Sequence, residues 1–135
     1  MKNLFPVICT DDVKGSSDFY QKLLGLEPVF EADWYVQLQA AGEPTVEIAF
    51  VQRTHPSVPQ GHQNLPAGVI VTLQSDDVDE IHARAESQGL PIVLSLRDEA
   101  WGQRHFMTLD SMGLLLDIFK LIPAAPEYAA SYEID

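Results

Sequence analysis

Residues 75–90, SDDVDEIHARAESQGL, restate residues 10–26, TDDVKGSSDFYQKLLGL. Both stretches follow an apolar run, open on Ser/Thr-Asp-Asp-Val, continue as an amphipathic segment and close on Gly-Leu. An aspartate just before Val13 or Val78 can accept the free backbone N–H groups of a first helical turn and suits the positive helix end. The closing Gly25 or Gly89 supplies the left-handed residue that stops the helix. Each copy therefore reads as strand, capped helix, stop, with the second one residue shorter between Asp and Gly.

Working outward, each stop is followed by three short runs of strand character. In the first half they are EPVFEAD, WYVQLQA and TVEIAFVQ, the last two parted by AGEP. In the second they are PIVLSL, GQRHFMTL and GLLLDIFKL, the last two parted by DSMG. The pattern is βαβββ, written twice. A stretch rich in Pro, Gly, Gln and His separates the halves, giving module 1 at about 1–52, a linker at about 53–67, module 2 at about 68–121 and an acidic tail at 122–135. Half-chain repeats are marginal alone, so the two are expected to fold as a single domain. The tail is expected either to form a short helix or to fray.

Composition narrows the function classes. A hydrophobic content of 46% supports a packed core. Twenty acidic against eight basic side chains give a net charge of -12, which repels nucleic acid phosphates and anionic membrane surfaces. No apolar run approaches the roughly 20 residues that cross a bilayer, and MKNLFPVICTDD turns acidic before it could act as a signal segment. The single Cys9 has no internal disulfide partner. The expectation is an untargeted cytoplasmic protein. No phosphate loop, cysteine cluster or nucleophile elbow is present, and no histidine is expected beside Cys9.

The paired modules, with DDVKGSSDFYQKLLGLEPV in the first and DEAWGQRHFMTLDSMGLLLDIF in the second, resemble the vicinal oxygen chelate superfamily over roughly residues 3–121. That superfamily includes glyoxalase I, extradiol dioxygenases, and fosfomycin and bleomycin resistance proteins. The resemblance implies an α+β fold of two paired βαβββ modules, their mixed sheet curled into a cup with the helices outside. It also implies a small-molecule ligand in the cup and a homodimer. Metal-dependent members commonly take His from the first strand and Glu from the last strand of each module. Alignment puts Phe5 and Ile70 at the first-strand positions and Glu47 and Asp117 at the last-strand positions. Two carboxylates without imidazole fall short of an open catalytic metal site, so neither metal nor cofactor is expected.

Strand alternation then assigns faces. Trp34, Val36, Leu38, Val46, Ile48 and Phe50 should lie under the helix, leaving Tyr35, Gln37 and Glu47 on the cup face. In the second half a regular hairpin would pair Thr108 with Leu115, Phe106 with Asp117 and Arg104 with Phe119, all facing the cup, while His105 would face the helix. Arg104 and Asp117 would then either form an ion pair or contact a ligand. Trp101, on a loop, is expected at the cup rim. The candidate ligand-binding residues are therefore Tyr35, Gln37, Glu47, Trp101, Arg104, Phe106, Asp117 and Phe119; no catalytic residue is assigned. The function read from the sequence is metal-independent binding and sequestration of an aromatic or cationic compound. The alternative is a lyase, isomerase or dioxygenase of the same superfamily with an altered metal site.

Overall fold

The computed structural model of the chain describes residues 1–132, without the side chains of residues 43–45. The chain divides into two units, Met1–Val69 with Asp110–Met112, and Ile70–Leu109 with Gly113–Asp135. The first contains β1 (Val7–Thr10), α1 (Val13–Leu24), β2 (Glu27–Ala32), β3 (Tyr35–Ala40) and β4 (Glu43–Gln52). The second contains β5 (Ile70–Gln74), α2 (Val78–Ser87), β6 (Ile92–Glu99), β7 (Gln103–Leu109) and β8 (Leu115–Leu121), then a short α3 (Pro126–Ala129) and a 3-10 turn. The sheets have matching orders, β1-β4-β3-β2 and β5-β8-β7-β6, each with its first strand parallel to its last and the remaining pairs antiparallel. The α+β fold of two βαβββ modules is thus observed. The last three residues of the tail lie outside the described residues.

Helix α1 forms as its sequence dictates at both ends. The Asp12 carboxylate accepts the Gly15 N–H at 2.9 Å, and Gly25 leaves the helix at φ 70°. Gly15 is required by that cap, because a Cβ there would stand 2.2 Å from Asp12 Oδ2. Helix α2 departs from the expectation: Asp77 occupies the N-cap position but its side chain makes no capping bond. The acidic Asp79 and Glu80 in the first turn favour the positive helix end instead.

Both helices bury one stripe. Val13, Ser16, Ser17, Tyr20 and Leu23 of α1 recur at helical spacing, and α1 packs on β3 and β4, whose Val36, Leu38, Ile48 and Phe50 are buried. In the second unit Val78, Ile81 and Ala85 of α2 pack toward β6, β7 and β8, where Phe106, Leu116 and Ile118 are fully buried. Each such aliphatic or aromatic side chain contributes about 1.5–3 kcal/mol of transfer free energy. Neither α1 nor α2 packs on the opposite face of its sheet, and there the candidate residues must be sought.

Within the first unit Tyr20, buried beside the Phe50 ring, donates its hydroxyl to Asp110 at 2.8 Å. Burial first, and then the Asp110 charge, push its phenol far above the usual range, so it stays a donor at every physiological pH. The linker has no helix or strand, yet it is held: Arg53 donates to Asp11 at 2.6 Å and to the Gln63 carbonyl at 3.1 Å, and Gln63 donates to the Val58 carbonyl. No described helix is long and apolar enough to cross a membrane.

Candidate functional site

In the first unit the expected trio comes together. The antiparallel β3–β4 register sets Gln37 opposite Ala49 and Gln39 opposite Glu47, so Tyr35, Gln37 and Glu47 share the helix-free face. The Tyr35 hydroxyl donates to Gln37 Oε1 at 3.0 Å, and Gln37 Nε2 donates to Glu47 Oε1 at 2.7 Å. Asn3 Nδ2 donates to the other Glu47 oxygen. Burial, and then the Glu47 charge, hold the Tyr35 phenol above its ordinary value.

Beside this chain lies a cavity of about 410 Å³ lined by Val7, Phe30, Trp34, Tyr35, Gln37, Val51, Ser57 and Val58. Three of its eight lining residues are aromatic. The Phe30 and Tyr35 rings meet edge to face at 5.8 Å, and Trp34 lies 5.6 Å from Tyr35. Trp34 is itself backed by His55, whose imidazole stacks on the indole with centroids 3.8 Å apart and an interplanar angle of 8°. His55 Nδ1 accepts the Ser57 N–H at 3.1 Å and lies 2.8 Å from the Ser57 hydroxyl. The linker thereby supplies one wall. Glu47 does not line the cavity; it stands one hydrogen bond behind Gln37.

Trp34 was expected beneath α1 and is not there. Strand β3 begins at Tyr35, so Trp34 belongs to the preceding turn, where the period of two no longer applies. Phe30, Val51, Ser57 and Val58 were not identified from sequence. The exposed aromatic in EPVFEA could have flagged Phe30, but no local signal joins the linker to the sheet.

In the second unit the hairpin register is offset by one from the expectation. Leu109 pairs with Leu115, Met107 with Asp117, Phe106 with Ile118, His105 with Phe119 and Arg104 with Lys120. Asp110 accepts the Met112 N–H at 2.9 Å, and Gly113 takes φ 83°, so five residues close the turn where six were anticipated. A one-residue slip reverses every side chain of one strand relative to the other. Asp117 and Phe119 remain on the helix-free face, and His105 joins them. Arg104 and Phe106 turn to the helix face instead. Arg104 bonds Asp79 of α2 at 2.8 Å and Asp98 at 3.0 Å, not Asp117. Phe106 is 0% exposed and meets the His82 ring of α2 at 4.9 Å.

His105, 3% exposed, is held from both sides. Its Nδ1 is 2.9 Å from Asp117 Oδ1 and its Nε2 3.0 Å from Glu99 Oε2, while Arg97 reaches the same Glu99 oxygen at 3.2 Å. The His105 hydrogen bond, followed by Arg97, holds the Glu99 carboxyl below the usual range. Trp101 stands over this group: its indole N–H donates to Gln103 at 3.1 Å, and its ring lies edge-on to His105 at 6.1 Å and to Tyr128 at 6.5 Å. The indole is 39% exposed on its loop. Gly102 fixes that loop at φ 99°, with no room for a Cβ, which would meet the Ile122 carbonyl at 2.9 Å.

The donor set does not fit a metal. Phe5 and Ile70 offer no lone pair, both Glu47 oxygens are taken by amides, and Asp117 Oδ1 faces His105. Among the described residues, no three His, Cys, Asp or Glu side chains are grouped to hold an ion.

Two helix-backed sheets of identical order, each with an open face, define a paired βαβββ protein. The glyoxalase/bleomycin resistance protein/dioxygenase superfamily model matches residues 4–118, and the chain belongs to that superfamily. No curated protein sequence matches it. Among solved structures it is similar to TnmS3, an antibiotic-binding protein from Streptomyces sp. CB03234, at 21% identity and TM-score 0.70, covering 90% of this chain and 96% of that one. It is also similar to a glyoxalase/bleomycin resistance protein/dioxygenase family enzyme from Burkholderia phytofirmans PsJN, at 16% identity and TM-score 0.73, covering 87% and 97%. TioX from Micromonospora sp. ML1 matches at 18% identity and TM-score 0.70, covering 90% and 100%. At these identities the likeness establishes the fold.

Proposed function

We propose that the protein is a cytoplasmic, metal-independent small-molecule binder that sequesters an aromatic or cationic compound. The observation that carries this reading is the aromatic-walled cavity of the first unit. Its volume lies within the range of small-ligand pockets, and Phe30, Trp34 and Tyr35 offer ring surface to a flat guest. The net charge of -12 adds a long-range attraction for a cation. A structural neighbour described as antibiotic-binding is consistent with the same use of the fold. The Glu99–His105–Asp117 group does not favour the enzyme alternative, because both ring nitrogens are engaged by carboxylates and the imidazole is buried.

Elemental analysis followed by calorimetry with proflavine, a flat cationic tricycle, tests the reading. Protein purified without added metal should carry well under one equivalent of nickel, zinc or iron. Proflavine should bind, and Trp34→Ala should weaken it about tenfold, the upper end of what one aromatic stacking contact contributes. Stoichiometric metal that is lost in Glu47→Gln or Asp117→Asn would promote the enzyme reading.

A homodimer is part of the same proposal. Strand β2 is a sheet edge, exposed over most of its length, and carries Val29 and Phe30 at 50% and 53% exposure. Sedimentation at micromolar concentration should give twice the 15.0 kDa chain mass; a clean monomer refutes the dimer.

A further inference from the structure

We infer that the first-unit cavity is an aromatic cage for a quaternary ammonium centre, so that its guest carries a compact, methylated cation. This rests on the cavity's being the binding site and names the chemistry taken there. Phe30, Trp34 and Tyr35 line one space, and their rings are steeply inclined rather than parallel, Phe30 to Tyr35 at 64° and Trp34 to Tyr35 at 46°. A flat guest can lie along only one such ring at a time. A rounded group suits all three, because centroid separations of 5.8 and 5.6 Å keep the rings within reach of one small cation. Each ring within about 6 Å of such a cation attracts it through its quadrupole. The imidazole of His55 lies flat on Trp34, 3.8 Å centroid to centroid, so this wall is set before a guest arrives and little ordering remains to be done on binding.

The electrostatics of this wall carry the sign that a cation needs. No lysine or arginine lines the cavity. Glu47 stands one hydrogen bond behind it: the Tyr35 hydroxyl donates to Gln37 at 3.0 Å, and Gln37 donates to Glu47 at 2.7 Å. The charge of that carboxylate is felt at the ring, since after burial it is what holds the Tyr35 phenol above its ordinary value. A field that resists a phenolate at Tyr35 favours a cation in front of it, by the same Coulomb interaction with the sign reversed. Glu47 does not itself line the cavity, so an ammonium bearing N–H groups finds no carboxylate there to pair with. A quaternary centre has no N–H to satisfy, and Val7, Val51 and Val58 offer apolar contact to its methyl groups.

Choline and 3,3-dimethylbutan-1-ol test this, being the same shape with a charged nitrogen or a neutral carbon at the centre. Each is titrated at pH 8 into protein carrying ¹⁵N-labelled tryptophan, and affinity is read from the Trp34 indole resonance, assigned by its loss in Trp34→Phe. Choline should bind about five- to thirtyfold more tightly, the span from a half-exposed to a desolvated cation–π contact. Glu47→Gln removes the charge and keeps a side chain of the same size; choline affinity should fall about two- to threefold while that of the alcohol holds. Phe30→Leu keeps an apolar wall without the ring and should narrow the preference as well. Equal affinities in the wild type, or tighter binding of the alcohol, would overturn the inference and leave the cavity as a binding site. A preference undiminished in both variants would also overturn it. If neither probe moves Trp34 while proflavine binds, the cage is refuted and the binding reading stands; if proflavine fails too, both fall.

Discussion

Phe106→Ala is expected to cost about 3–5 kcal/mol of stability, the usual range for deleting a fully buried aromatic ring. For a chain of this size the loss corresponds to a fall in Tm of about 10–20 °C. The ring is wholly excluded from solvent, on the helix face of β7 and edge-on to His82 of α2. Its removal leaves a cavity that rigid sheet and helix backbone cannot close. Thermal and urea unfolding check the magnitude. Proflavine affinity measured on the fraction still folded should stay within about twofold of wild type, since the ring does not line the first-unit cavity. A stable variant with lost binding would instead return Phe106 to the ligand face.

Asp117→Ala should cost about 1–3 kcal/mol, because it leaves the buried Nδ1 of His105 without its hydrogen-bond partner. The Asp117 carboxylate meets His105 Nδ1 at 2.9 Å. Arg104→Ala removes only the half-open contacts to Asp79 and Asp98 and should move Tm far less. The two substitutions should be additive in a double-mutant cycle, and strong coupling between them would restore the direct Arg104–Asp117 pair expected from sequence. The acid limb provides a second readout. Glu99 titrates below its ordinary value, chiefly through the His105 bond, so its contribution is present above the unfolded value and fades as pH falls through the folded one. The stability gap between wild type and Glu99→Gln should therefore close as the solution is acidified below about pH 4. A gap independent of pH would contradict this.

These placements separate what local sequence can carry from what it cannot. The α1 cap at Asp12, the stop at Gly25 and the succession of strand and helix within each module follow from signals within a dozen residues, and the repeat writes them twice, which is why the two-module α+β fold was legible. Tyr35, Gln37 and Glu47 were legible too, because β3 and β4 alternate without interruption across that segment and burial on one side fixes the register.

The second hairpin shows the limit. Five residues join β7 and β8, with the Asp110 side chain accepting both the Met112 N–H and the distant Tyr20 hydroxyl, a contact that the turn's own sequence does not announce. That turn decided whether Arg104 and Phe106, or His105, would share a face with Asp117. The cavity depended on contacts at still greater separation. Trp34 and His55 are unremarkable in sequence, one at a turn and one in a proline-rich linker, and only the folded chain stacks them 3.8 Å apart. Sequence alone thus determined the modules, the helix boundaries, the acidity and the apolar character of positions 5 and 70. The tertiary structure decided which polar groups face one another and which way their hydrogens point, because a hydrogen bond's direction is set by the whole chain of partners rather than by any residue in it.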